Sequence, residues 1–404
     1  RNLAHLCIRC HVDLLFLSKS AFLVSFLMIN CFLKVNMKYN SAILTITDVD
    51  NYGNRLQNYA LQSLLSRYGT CTTITMPIGI KKKLPYCLIK GRGILSLFIK
   101  RIYSYMFNDE RSVKFKRFIK CSEMTDSLIN HDSFYLSCTH DFFAIHGETF
   151  KTLVIGSDQV WNYQWLTSNE LELRLGSFAF NEHDVFSYAA SFGVSDIDDE
   201  AKKVFQKYLP QMKSISVRED RGAEIVKEMT HLNATVVLDP TLMLASDKWM
   251  KITEGFVPDD DEYVLTYFLG RPSDEQERDI QAYAKAHGCR VRRILDLRDK
   301  ETYVAGPQDF VELFSKAQYV FTDSYHACCF SILFHKQFTV FNRAGMTGKS
   351  SMNSRMETLF RLFDLDSVMM DSGLAPEINY VKVDRLLEQH RRESQAWLDM
   401  AMEE

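Results

Sequence analysis

No Walker-type loop and no G-x-G-x-x-G run occurs in these 404 residues, which excludes the two commonest glycine-rich phosphate cradles. Strong charge of either sign is also missing: a formal net charge of −3 gives no overall pull toward nucleic acid. Ten cysteines are present, but only Cys7-x-x-Cys10 has metal or redox spacing. No second pair completes a zinc site, so a reduced, cytoplasmic chain is expected rather than a disulfide scaffold. The apolar run AFLVSFLMINCFL (21–33) has 13 residues, short of the roughly 20 a membrane span needs, and no small-x-small cleavage site follows it. Met37 therefore reads as the natural start, with residues 1–36 outside the fold and a membrane anchor as the alternative. Low-complexity linkers and short-period repeats are absent as well.

What remains is a chain of ordinary globular composition, 46% hydrophobic and 25% charged, long enough for two domains. SAILTIT (41–47) reads as a buried strand, NRLQNYALQSLLSRYG as the helix after it, and CTTITM (71–76) as the next strand. That βαβ opening predicts a parallel sheet. The same rhythm returns in TLVIGSDQVWN, VFSYAASFG, SISVRED and ATVVLDP, and a second series starts at EYVLTYFLG (262–270). The expected organisation is an α/β chain of two Rossmann-like domains, 37–212 and 213–384, facing across a cleft. A helix at 385–404 is expected to pack back on the first. Residues 81–120 hold twelve Lys or Arg and two acids, interleaved with aromatics. They read as a basic helical insertion, either solvated or a peripheral contact with the inner face of a membrane.

In such folds the loops after the strands carry ligands. Five are unusually polar: DVDNYGN, GSDQVWN, ASFG, VRED and TDSYH. Together with NYGNRLQNYAL, VLDPTLML and FTDSYHACCFSILFHKQFTVFNR, and in this order, they resemble the polysaccharide pyruvyl transferase family from about Lys38 to about Leu365. The resemblance implies a fold like the B-type glycosyltransferases. It also implies transfer of the pyruvyl group of phosphoenolpyruvate to a pair of sugar hydroxyls, giving a ketal on a surface glycan. Phosphoenolpyruvate is then a donor substrate, no cofactor is expected, and the acceptor is a glycan or lipid-linked sugar.

That chemistry needs a proton donor, cations for a carboxylate and a phosphate, and a group that handles the acceptor hydroxyls. His326, at a strand-to-helix turn where the family also has a histidine, is the expected proton donor; a packed core histidine is the alternative. Arg218, which the resemblance marks as anion-binding, and Arg355 are the expected cations, with salt bridging or capping as alternatives. Asp158 is the expected base or hydroxyl ligand. Ser157, Trp161 and Asn162 beside it suit a sugar, with the indole as a stacking face; an Asx turn over a buried tryptophan is the alternative. Asn51, Tyr52, Gly53 and Asn54 are expected to line the cleft, along with Ser191 and Gly193. Asp323 is expected to orient the imidazole and Ser324 to bind phosphate, although both also suit helix capping. Cys328 and Cys329 read as core packing. His131, His140 and His146 match no metal-ligand spacing. A glycosyltransferase using a nucleotide-sugar donor and a non-catalytic glycan-binding protein are the competing functions.

Overall fold

A computed structural model describes residues 39–75, 107, 109–133, 150–181, 183–258, 261–342 and 351–403. The readings of residues 1–36, and of most of 81–120, fall outside them. Among the described residues, no helix is long and apolar enough to cross a membrane.

Two parallel sheets organise the chain. The first has seven strands: β1 (Tyr39–Leu44), β2 (Cys71–Thr75), β3 (His131–Ser133), β4 (Phe150–Ile155), β5 (Asp184–Ala190), β6 (Ser214–Val217) and β7 (Thr235–Val236), in the order β3-β2-β1-β4-β5-β6-β7. The second has five: β8 (Tyr263–Tyr267), β9 (Arg290–Ile294), β10 (Tyr319–Thr322), β11 (Gln337–Phe341) and β12 (Met369–Met370), in the order β12-β11-β10-β8-β9. Both are doubly wound. The chain reverses its direction of travel between β1 and β4 in the first sheet, and between β8 and β10 in the second. A reversal point of this kind leaves a crevice at the carboxyl ends of the two strands, because their following loops diverge to opposite faces.

The strands form where both faces can be covered. Ala42, Ile43 and Leu44 in β1 are fully buried, as are Leu153, Val154 and Ile155 opposite them in β4, the near-continuous apolar pattern of parallel sheets. Helix α1 (Tyr52–Leu65) starts where the Asn51 side chain accepts the Asn54 N–H, and it buries Leu56, Ala60, Leu61 and Leu64. Further on lie α2 (Glu110–Leu128), α3 (Pro307–Lys316), α4 (Tyr325–Leu333), α5 (Ser351–Phe363) and α6 (Tyr380–Glu403). Ile43 and Leu56 from the first half share one apolar cluster with Phe310 and Val320 from the second. Helix α6 starts at Tyr380, earlier than position 385, and lies against the first sheet. There Trp397 packs 6.0 Å from Phe186, and Ser394 Oγ accepts the Leu238 N–H at 2.9 Å.

The boundary near 212 needs correction. Strands β6 and β7 lie beyond it in sequence, yet they pair with β5 and with each other, so the first sheet runs to Val236. Pairing decides membership here, because SISVRED is equally strand-like whichever sheet it joins.

Candidate active site

Loops from both reversal points bring a set of buried polar side chains together. The start of α1, after β1, contributes Gly53 and Asn54. The loop after β4 contributes Ser157 and Asp158, the ends of β6 and β7 contribute Arg218, Glu219 and Asp239, the turn after β10 contributes His326, and α5 contributes Arg355. All are nine-tenths or more buried, the glycine included.

Arg218 is the hub. Its Nη2 donates to Asp158 Oδ1 at 3.0 Å and its Nη1 to Asp239 Oδ2 at 2.9 Å. The guanidinium also lies over the Tyr325 ring, 4.4 Å from its centre, a cation–π contact. Asp158 accepts from Asn54 Nδ2 with its other oxygen. Its φ of 61°, which aspartate tolerates better than most residues, turns the carboxylate to meet both partners. Asp239 accepts the Thr241 N–H and hydroxyl on Oδ1, at 2.9 and 2.7 Å, and the Ser157 hydroxyl on Oδ2 at 3.3 Å. His326 Nε2 stands 3.8 Å from Asp239 Oδ2, an ion-pair distance but too long for a hydrogen bond. Arg355 Nη1 reaches only 4.0 Å from Asp158 Oδ1.

Several groups in this buried pocket have no hydrogen-bond partner among the described residues: His326 Nε2, Nε of Arg218 and of Arg355, Asn54 Oδ1 and Glu219 Oε2. Buried polar atoms are normally paired, so such a concentration suits a polar ligand.

The charges are strongly coupled. Burial pushes the Asp158 and Asp239 carboxyls upward, but the neighbouring cations outweigh it and hold both below the usual carboxylate range. Arg218 is the leading cation for Asp158, and His326 followed by Arg218 for Asp239. Burial raises Glu219, with Arg218 and Arg355 opposing. Burial also lowers the His326 imidazole, the two aspartates working against it. Arg355 is brought down to about 10 by burial and by the positive charge of Arg218. Two guanidiniums this close favour an anion between or beside them.

Gly53 explains its own residue type. A Cβ there would fall 2.2 Å from His326 Nδ1, so the helix can meet the imidazole only as glycine. Gly53→Ala is expected to keep the fold, since alanine favours the helix by up to ~1 kcal/mol against an overpacking cost of ~1–3 kcal/mol. It should turn the ring out of place and cut kcat at least ~10-fold, read by steady-state kinetics beside a thermal melt.

The other expected residues divide. Ser157 and Ser191 are fully buried supports: Ser191 Oγ donates to Glu219 Oε1 at 2.8 Å, which also takes the Phe192 N–H. Gly193 has φ 64°, and a Cβ there would fall 2.0 Å from Gln159 Oε1. Asn162 caps a short turn by accepting the Gln164 N–H, and Asn51 caps α1. Ser324 makes no side-chain cap. Asp323 accepts the N–H groups of Leu269 and Gly270 at 2.7 and 2.9 Å, tying the turn after β10 to the loop after β8, while the carboxylate 3.8 Å from the His326 Nε2 is that of Asp239.

Two placements depart from the sequence reading. Tyr52 lies in the core, stacked 5.0 Å from Phe310, with its hydroxyl on the Ala305 carbonyl at 2.7 Å, so it joins the halves and does not line the cleft. Trp161 is fully buried against Phe192 and Phe205, which leaves no face for a sugar. Cys328 and Cys329 are fully buried, with thiols held well above their usual range by burial. Asp239 and Glu219 belong to the cluster although neither was singled out from sequence. The Asp-Pro that ends ATVVLDP was the available signal for Asp239, the same strand-end position that identified Asp158.

Comparison with known proteins adds a family match. The family model described as "Polysaccharide pyruvyl transferase" matches residues 51–345. No curated protein matches the sequence. Similar solved structures include the UDP-GlcNAc 2-epimerase from Neisseria meningitidis, at 11% identity and TM-score 0.44, covering 90% of this chain and 94% of that one. The wall teichoic acid polymerase TagF is similar at 12% identity and TM-score 0.42, covering 91% and 84%. The UDP-GlcNAc 2-epimerase from Methanocaldococcus jannaschii is similar at 12% identity and TM-score 0.40, covering 87% and 99%.

Proposed function

This chain belongs to the polysaccharide pyruvyl transferase family, and from that premise we propose that it transfers the pyruvyl group of phosphoenolpyruvate to two hydroxyls of a sugar acceptor, forming a ketal and releasing phosphate. The observation that carries the reading is Arg355, a buried guanidinium whose Nε has no partner among the described residues, beside Arg218 and the unpaired imidazole of His326.

In this reading Arg355, with the remaining donor of Arg218, holds the phosphate and carboxylate of the donor. His326 gives a proton to the methylene carbon, leaving C2 electron-poor. One acceptor hydroxyl adds to C2, the C2–O bond to phosphate breaks, and the second hydroxyl closes the ring. Two hydroxyl protons leave; one balances the proton now in the methyl group and the other departs on phosphate. Asp158, kept ionised by Arg218, serves better as a hydroxyl ligand than as a proton store. The ordered Arg218–Asp158–Asp239 frame fixes these groups before substrate arrives, which is where electrostatic catalysis gains its advantage.

Purified protein given phosphoenolpyruvate and a panel of glycans is expected to release phosphate and to add a carboxyethylidene group detectable by mass spectrometry. Stabilisation by a nucleotide sugar and not by phosphoenolpyruvate in a thermal melt would instead favour glycosyl transfer. Arg355→Met gives a sharper check. A charge-assisted contact contributes ~1.5–3 kcal/mol, so KM for phosphoenolpyruvate should rise ~10- to 100-fold. Without ligand the variant should be at least as stable as the parent, since burial and Arg218 both disfavour the Arg355 charge.

A further inference from the structure

We propose that the groove between the loops after β1 and β4 is an acceptor subsite for a neutral pyranose, with the exposed Trp165 indole as its stacking platform. This rests on the transferase reading above and names the class of sugar that reading leaves open.

The groove encloses about 540 Å³ and opens at the first reversal point, the place where a doubly wound sheet offers its crevice. Gln159, which lines it, directly follows Asp158. A sugar seated there therefore has the buried carboxylate site as its neighbour along the same loop.

Trp165 also lines the groove and is 64% exposed, whereas the other three tryptophans, Trp161, Trp249 and Trp397, are buried. An indole in water normally marks a loop tip, yet this one is braced on both sides. Asn162 accepts the Gln164 N–H at 3.2 Å, and its Nδ2 donates to Gln159 Oε1 at 3.0 Å. Just beyond, Thr167 and Glu170 form a reciprocal capping box. The backbone that carries the indole is thus held on both sides with the ring largely uncovered, and the C–H face of a pyranose covers such a face while its hydroxyls point to the rim.

The rim decides charge. Asp48 and Asp50 supply carboxylates. Arg117 is paired with Asp50, donating to its backbone oxygen at 2.6 Å and to its carboxylate at 3.0 Å, while Arg174, which lines the groove, keeps its charge as it donates to the Thr45 carbonyl. Among the described residues lining the groove, two carboxylates stand against one guanidinium, so hydroxyl protons find acceptors and a uronate gains no net attraction.

Acrylamide quenching of tryptophan fluorescence reads Trp165 selectively, because the other three indoles are buried. Methyl hexopyranosides are expected to protect the signal, methyl glucuronide to protect it less, and Trp165→Phe to abolish the difference. In the transfer assay Trp165→Ala should raise acceptor KM ~3- to 10-fold with kcat and the phosphoenolpyruvate KM within about twofold, and Trp165→Tyr should restore most of the loss. An unchanged acceptor KM in Trp165→Ala, or equal protection by hexoside and glucuronide, overturns the subsite. Protection by hexosides in a protein that transfers nothing upholds the subsite and counts against pyruvyl transfer.

Discussion

His326→Ala is expected to lower phosphate release from phosphoenolpyruvate by ~10²–10⁴-fold, the usual contribution of a positioned proton donor, with the melting temperature almost unchanged. The imidazole makes no hydrogen bond through Nε2 among the described residues, so its removal breaks none there. The variant opens space against Gly53, where a Cβ would fall 2.2 Å from the ring. The pH dependence gives a second readout. Burial lowers the imidazole pKa from 6.5 in the free protein, so a reaction that needs the protonated ring should show kcat/KM falling as pH rises through a value below 6.5. Bound phosphoenolpyruvate brings negative charge beside the ring, which favours the imidazolium. The matching limb of the kcat profile is therefore expected at higher pH than that of kcat/KM. Wild-type activity in His326→Ala, or the two limbs coinciding, would remove His326 from the proton-transfer role.

Arg218→Leu is expected to cost ~3–5 kcal/mol at neutral pH, the penalty for leaving buried charge uncompensated. Two carboxylates are affected at once, Asp158 and Asp239, and both lie in the interior. The sign with pH separates this from a generic packing defect. In the parent, both carboxyls titrate below 3.8, so they contribute stability that is complete above that value and is lost as pH falls through their folded values. In the variant the guanidinium is gone and burial is opposed only by the remaining cations, which moves both carboxyls upward from their values in the parent. The folded variant then binds protons more readily than the folded parent, and its deficit should shrink as pH drops toward 4. Denaturant melts at neutral pH and near pH 4 test this; a deficit that is constant or grows in acid would show that Arg218 acts through packing. Little activity is expected at any pH, because Asp158 and Asp239 lose the partner that fixes them.

Much of the site could be read from the chain because each residue sits at a punctuated position. His326, Arg218 and Asp158 each follow a short apolar strand, where a polar side chain has a reason to exist only if something meets it. Asp239 sits at the same kind of position, at the Asp-Pro that ends the strand ATVVLDP. Trp161 and Trp165 show the opposite limit. Both lie in one loop of similar composition, and which indole is buried depends on the left-handed turn at Asp158 and the short helical turn at Tyr163–Trp165. Tyr52 follows the same logic: it is the immediate neighbour of Gly53 on the same helix, yet it faces Phe310 while Gly53 faces the imidazole.

Order along the chain was enough to establish alternating strands and helices, parallel sheets, and the residue types that gather at strand ends, since periodicity and β-branched content are local properties. Only the folded arrangement decided that β6 and β7 complete the first sheet, that Arg218 is shared by Asp158 and Asp239, and that Arg355 Nε is left without a partner among the described residues in a buried pocket. These depend on separations in space between residues up to roughly two hundred positions apart, and burial, which sets the strength of each charge, is a property of the assembled molecule and of no single segment.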